Sequence, residues 1–288
     1  MQKVVQCYYI VSAFLKGLLM TTKTFYLNNE KTAYLKAYLL DEVDTIAFSK
    51  KRPAILIFPG GGYEHCSQRE AEPIAMRYLA EGFNAFVLFY TCKKKYPAAL
   101  ANAAYAMYKI RMRAEEFNID PHKIAVWGAS AGGHLAGCLA TMWSDSGITA
   151  AIGCQPQDIR PDAAILSYPV ISGIANPHVG SFNVLLGEKA SPADISRLSL
   201  ENRVTPKTPP CFVWCTADDD CVSAHNSLVF AKACVSNKVP CELHMFDEGP
   251  HGLSDCSKNT GWNEFFYNDN CKQWIQMSVR FLEKYMNI

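Results

Sequence analysis

The segment Gly128-Ala129-Ser130-Ala131-Gly132 sets a serine between glycines two residues before and two residues after it. A serine hydroxyl is a weak nucleophile until a base takes its proton, and it must stand clear of its own backbone to reach a carbonyl carbon. A very tight strand-to-helix turn achieves this, and flanking glycines let the chain pass close to itself without a Cβ clash. The pattern alone also arises by chance, as an idle serine in a glycine-rich turn. Its setting favours chemistry. Ile124-Ala125-Val126-Trp127 reads as a strand directly before it, and Gly133-His134-Leu135-Ala136 continues as a helix directly after it. The N-terminus of that helix favours negative charge developing beside Ser130. Ser130 is the candidate nucleophile.

Attack on a carbonyl creates an oxyanion, which needs fixed N–H donors. Upstream, Pro59-Gly60-Gly61-Gly62-Tyr63 follows an apolar run and offers amides that no side chain shields. The backbone N–H groups of Gly61, Gly62 and Ala131 are the expected oxyanion hole. A phosphate-binding loop is the competing reading, but no Lys-Ser/Thr follows and the G-x-G-x-x-G spacing is not met. Tyr63, beside the hole, is assigned to substrate contact, with a loop anchor as its alternative.

A base must reach the serine hydroxyl, and an acid must orient the base. Five histidines follow Ser130. His134 lies on the elbow helix, His225 on a later helix, His244 within a strand and His178 in an irregular stretch. His251 alone follows the last strand in a loop, Glu248-Gly249-Pro250-His251-Gly252, and is the candidate base. The acid is sought after the preceding strand, where Asp218, Asp219 and Asp220 stand in a row. Spacing does not choose among them.

These groups need a framework. Phe25–Leu27, Leu35–Leu40, Ala54–Phe58, Ala85–Tyr90, Lys123–Trp127, Ala163–Leu166, Cys211–Cys215 and Glu242–Phe246 read as strands. Helices are expected over Arg69–Gly82, from Pro97 to about Phe117, over Ala131–Trp143 and over Ser223–Val235. Trp274, Met277, Phe281 and Leu282 share one face of an amphipathic closing helix. The β-α-β order implies an α/β fold, with a mainly parallel sheet and helices on both faces.

The 288 residues are 49% hydrophobic and 19% charged, with a net charge of +1, so nothing draws the chain to nucleic acid or an anionic membrane. Lys93-Lys94-Lys95 reads as a solvated loop. The 12 cysteines contain no C-x-x-C pair and complete no zinc set. They read as small buried residues of a reducing, cytoplasmic compartment. Residues 1–22 are set apart as an N-terminal extension from a catalytic domain over 23–288. Val4 to Met20 is apolar but interrupted by Gln6 and Lys16. Secretion is the alternative if residues 1–20 act as a signal.

At these residues the chain resembles the acetyl esterase/lipase group of α/β-hydrolases, and is especially similar to bacterial acetyl-xylan or feruloyl esterase-like proteins. The resemblance covers roughly residues 25 to 286. Besides the glycine run and the elbow it includes Ser67-Gln68-Arg69-Glu70-Ala71-Glu72-Pro73, Tyr96-Pro97-Ala98-Ala99-Leu100, Tyr168-Pro169-Val170 and Ser181-Phe182-Asn183-Val184-Leu185-Leu186-Gly187. In that family the acid stands four residues before a proline opening the next helix. Ser223 occupies the place of the proline, and the resemblance then implies Asp219. It also implies a small, acetyl-like acyl group, no metal, no cofactor and no separate lid domain. Arg69, Glu70 and Glu72 read as a structural ion-pair group. A small-molecule or oligosaccharide ester is the expected partner. A serine peptidase, an acyltransferase and a non-catalytic binding protein on the same scaffold are the rival readings.

Overall fold

The computed structural model describes residues 20–43, 46, 47 and 49–288. Most of the expected N-terminal extension lies outside the described residues. Its last residues do not: Thr21 and Thr22 already belong to the first strand.

Runs such as Ala54-Ile55-Leu56-Ile57-Phe58 are too uniformly apolar to leave one face in water, and they form strands buried on both sides. Eight strands make one sheet in the order β1-β2-β4-β3-β5-β6-β7-β8. They are β1 (Thr21–Tyr26), β2 (Tyr34–Leu39), β3 (Arg52–Phe58), β4 (Asn84–Phe89), β5 (Ile119–Ala129), β6 (Ala163–Ser167), β7 (Cys211–Thr216) and β8 (Cys241–Phe246). Strand β2 pairs antiparallel with both its neighbours. From β4 to β8 every pairing is parallel.

Parallel strands need crossovers, and helices supply them. They are α1 (Glu72–Ala80), α2 (Ala98–Met112), α3 (Ala131–Met142), α4 (Ser146–Ile152), α5 (Pro156–Ile159), α6 (Val179–Leu186), α7 (Pro192–Leu198), α8 (His225–Ser236) and α9 (Trp274–Met286). Met107 of α2, Leu135 of α3 and Phe230 of α8 pack into the core on one face of the sheet. Ile74 and Tyr78 of α1 join Trp274 and Phe281 of α9 in the core on the other. Helix α3 is buried along its whole length, which only small residues such as Gly132, Gly133, Ala136, Gly137 and Ala140 allow.

Three expected boundaries are corrected. The helix over Arg69–Gly82 is split into a 3-10 turn, Gln68–Glu70, and then α1. Pro73 has no N–H to donate and fits only in a first turn, so α1 opens at Glu72. Helix α2 stops at Met112, because Phe117 turns in to pack against Phe25 and Phe86. Strand β5 starts at Ile119, ahead of Lys123, where Arg52 extends its pairing. No helix among the described residues is long and apolar enough to cross a membrane.

Candidate active site

The turn from β5 into α3 carries Ser130 at φ 54°, ψ −122°, a conformation that L-residues rarely adopt. The two glycines make it possible. A Cβ at Gly128 would lie 2.0 Å from the carbonyl oxygen of Gly132, and one at Gly132 would lie 2.0 Å from that of Phe58. The Ser130 amide donates to Ser167 at 3.0 Å, while the Ser130 carbonyl accepts from His134 and Val170 at 3.1 and 3.0 Å. The strained turn is thus held from β6 and from α3 at once.

Sheet order brings the other groups to the same end. His251, in the loop after β8, places Nε2 2.8 Å from Ser130 Oγ, and its Nδ1 lies 2.7 Å from Asp219 Oδ2. The Asp219 side chain is completely buried. Its Oδ1 accepts from the amides of Cys221 and Val222 at 2.9 and 2.8 Å, so both carboxylate oxygens are committed. A carboxylate there holds the proton on Nδ1, leaving Nε2 as an acceptor for the serine hydroxyl. The ring of Tyr168 packs edge-on against His251, with centroids 5.2 Å apart.

The three aspartates have separate surroundings. Asp218 accepts from the Gly249 amide at 2.7 Å and so braces the loop that carries His251. Asp220 is exposed. Of the three, Asp219 is the one joined to the imidazole.

The glycine loop packs directly on the elbow: a Cβ at Gly60 would lie 3.0 Å from Ser130 Cβ. The Gly60 amide is taken, since it donates to Glu70 Oε2 at 2.9 Å. The amides of Gly61, Gly62 and Ala131 meet no acceptor among the described residues. Gly61 and Gly62 have φ of 116° and 64°, and a Cβ at Gly61 would collide with the carbonyl of His65. At Gly61 glycine is required by backbone conformation as well as by space, and at Gly62 it is favoured by conformation alone.

Tyr63 corrects the expectation of a substrate contact. Its ring is buried, and its hydroxyl lies 2.8 Å from His134 Nδ1. The void beside these two rings is about 10 Å³, too small for an acyl group. Tyr63 anchors the loop from below. The Nε2 of His134 bonds to the carbonyl of Leu198 at 2.8 Å, and burial lowers the imidazole pKa to about 4.

Arg69, Glu70 and Glu72 do not form the expected ion-pair group. Glu72 pairs with Lys36 on the surface. Glu70 is buried, and its Oε1 accepts from the Tyr168 hydroxyl at 2.8 Å while Oε2 holds Gly60. The Tyr168 oxygen in turn accepts from the Ser254 amide at 2.9 Å. Burial, then the charge of Glu70, pushes the Tyr168 phenol well above its ordinary pKa, so it stays a donor. Arg69 donates to the carbonyls of Gly252, at 2.9 Å, and Thr260. One network therefore joins the glycine loop to the loop of His251. Sequence reasoning missed it, although Arg69, Glu70 and Tyr168 all stand in the segments that carry the family resemblance. Among the described residues no group of three or more His, Cys, Asp or Glu is gathered to hold a metal ion.

A nucleophile on the turn at the sheet centre, with acid and then base on the loops after later strands, is the arrangement of an α/β-hydrolase. The chain belongs to the BD-FAE family, whose model matches residues 44–234. It is 37% identical over 222 residues to endo-1,4-beta-xylanase B of Butyrivibrio fibrisolvens, covering 74% of this chain and 34% of that protein. It is 28% identical over 252 residues to an acetylxylan esterase of Xylanibacter ruminicola, covering 83% of this chain and 50% of that one. The chain thus spans half or less of these curated relatives. Among solved structures, an acetyl ester-xyloside bifunctional hydrolase from Caldicellulosiruptor lactoaceticus superposes with a TM-score of 0.78 at 36% identity, covering 92% of this chain and 96% of that one.

Proposed function

We propose that the protein is a serine esterase that removes small acyl groups, acetyl above all, from esters of xylo-oligosaccharides. The observation that carries this reading is the hydrogen-bonded line from Asp219 through His251 to Ser130 Oγ. It ends beside three amides with no acceptor of their own.

Ser130 Oγ attacks the ester carbonyl carbon as His251 Nε2 takes its proton. The carbonyl π electrons move onto oxygen, and the amides of Gly61, Gly62 and Ala131 hold the charge. Asp219 steadies the imidazolium. His251 then protonates the leaving alcohol, giving an acyl-enzyme on Ser130. Water, deprotonated by His251, attacks that ester and releases the carboxylic acid and the free serine. No cofactor enters these steps. An acyltransferase would run the same chemistry with a second alcohol in place of water.

Support for the substrate comes from the names of the relatives, an acetylxylan esterase and a xylanase. The cysteine content of the sequence, 12 with no C-x-x-C pair, is the ground for proposing a reducing, cytoplasmic location, with secretion the alternative if residues 1–20 act as a signal. The test is a panel of acyl esters that includes acetylated xylo-oligosaccharides. kcat/KM is expected to fall steeply from acetyl to octanoyl, and Ser130→Ala to lower kcat by about 10⁴-fold or more. A preference for octanoyl, or wild-type turnover by Ser130→Ala, would refute the proposal. A fluorophosphonate probe that labels wild type and not Ser130→Ala separates it from a non-catalytic binding protein.

A further inference from the structure

Four aromatic side chains among the described residues stand far out into solvent, and three of them fall within six residues of one another. Trp262 is 76% exposed, Phe265 70% and Tyr267 39%; the fourth, Tyr26, lies on the far edge strand. Single exposed aromatics are ordinary, but three within six residues of chain mark a candidate binding surface.

This group is joined to the catalytic loops. The Arg69 guanidinium lies 4.3 Å from the Trp262 ring centroid, and it donates to the carbonyl of Gly252, the residue after His251. Phe266 packs its ring against Trp262 at 5.3 Å. Trp262 is therefore held in place without being covered. Phe265 and Tyr267 line a cavity of about 490 Å³ with Asp218, Asp220, Glu248 and Glu264. Asp218 directly precedes the triad acid, and Pro250, also on the wall, directly precedes the base.

The chemistry of this surface restricts its occupant. Aromatic faces take up flat apolar surfaces. Carboxylates only accept hydrogen bonds, and the four that line the cavity outnumber the cations beside the aromatics, Lys258 on Tyr267 at 5.5 Å and Arg69 on Trp262, so an anion is disfavoured. A sugar ring matches both demands: its axial C–H groups form an apolar face and its rim of hydroxyls donates. We propose that Trp262, Phe265 and Tyr267 form a binding surface for the neutral sugar chain that carries the ester. This deepens the esterase reading and rests on it for the choice of sugar.

Native electrophoresis of the Ser130→Ala protein in gels containing soluble deacetylated xylan tests this without any turnover. Migration is expected to be retarded, and adding Trp262→Ala or Phe265→Ala is expected to weaken retention about threefold to tenfold. Tyr26→Ala should leave retention unchanged, and polygalacturonate should not retard the protein. On the Ser130 background, Trp262→Ala should lower the ratio of kcat/KM for acetylated xylo-oligosaccharide to that for p-nitrophenyl acetate by a similar factor, through KM. Equal retention with and without Trp262 and Phe265 overturns the proposal. So does a change of oligomeric state, by light scattering, with retention intact, since the patch would then join two copies. Acetyl esterase activity without xylan retention refutes this surface and leaves the esterase reading; retention without such activity does the reverse.

Discussion

Three adjacent aspartates follow β7, and each is sorted by direction: one to an imidazole, one to a backbone amide, one to water. Asp219→Asn would offer an amide donor to His251 Nδ1 and favour the wrong tautomer. kcat is expected to fall about 10³- to 10⁴-fold with the fold intact. Asp218→Asn keeps an oxygen for the Gly249 amide, so its kcat should stay within about threefold of wild type. Steady-state kinetics on an acetyl ester separates the two. His134 makes a pH prediction. Its folded pKa of about 4 lies below the ordinary 6.5, so the unfolded chain binds a proton that the folded chain refuses. That stability is whole above pH 6.5 and is lost as pH falls towards 4, by up to roughly 3 kcal/mol. Urea midpoints measured from pH 7 to 4.5 should drop in wild type and drop less in His134→Gln.

Between residues and fold lies the network of Glu70, Tyr168 and Ser254, which ties the 3-10 turn Gln68–Glu70 to the segments after β6 and β8. Tyr168→Phe leaves a buried carboxylate oxygen and the Ser254 amide unpaired. The expected loss is about 1–3 kcal/mol, read as a lower urea midpoint. This network was not legible in the sequence, because a glutamate beside an arginine and another glutamate reads equally well as a surface ion pair. The elbow was legible, since its glycines have no alternative: the close approaches at Gly128 and Gly132 admit no side chain. Central strands were legible because a short apolar run fits only where both faces are buried. Helices α4 to α7 were not, being too short to show a period.

On the scale of the molecule, the closing helix α9 does more than cover a face. Trp274 stacks between Trp127 of β5 and Trp214 of β7, with centroids 6.0 and 5.3 Å apart. Its indole N–H donates to the Ser254 carbonyl at 3.0 Å, in the segment that leads away from His251. Trp274→Ala should cost about 3–5 kcal/mol, seen as a lower Tm, with thermal loss of esterase activity following the same curve. Trp274→Phe keeps most of the packing and should fall between.

Short-range chemistry determined what the sequence alone could say. The alternation of apolar runs and helices, the glycines of the elbow, Ser130 and the sole loop histidine after the last strand are all set by neighbours a few residues apart. Which aspartate meets His251 was only implied by family resemblance until the folded chain placed it, and the surroundings of Tyr63 and the partners of Glu70 came from the folded chain alone. Asp219 meets His251 across two parallel strands, and which carboxylate points inward depends on the turn after β7, which spacing does not report. Tyr63 faces down onto His134 of α3, whose Nδ1 lies 2.8 Å from its hydroxyl. Ser130 itself entered as a serine in a five-residue pattern; the sheet order is what puts it within 2.8 Å of a base 121 positions away.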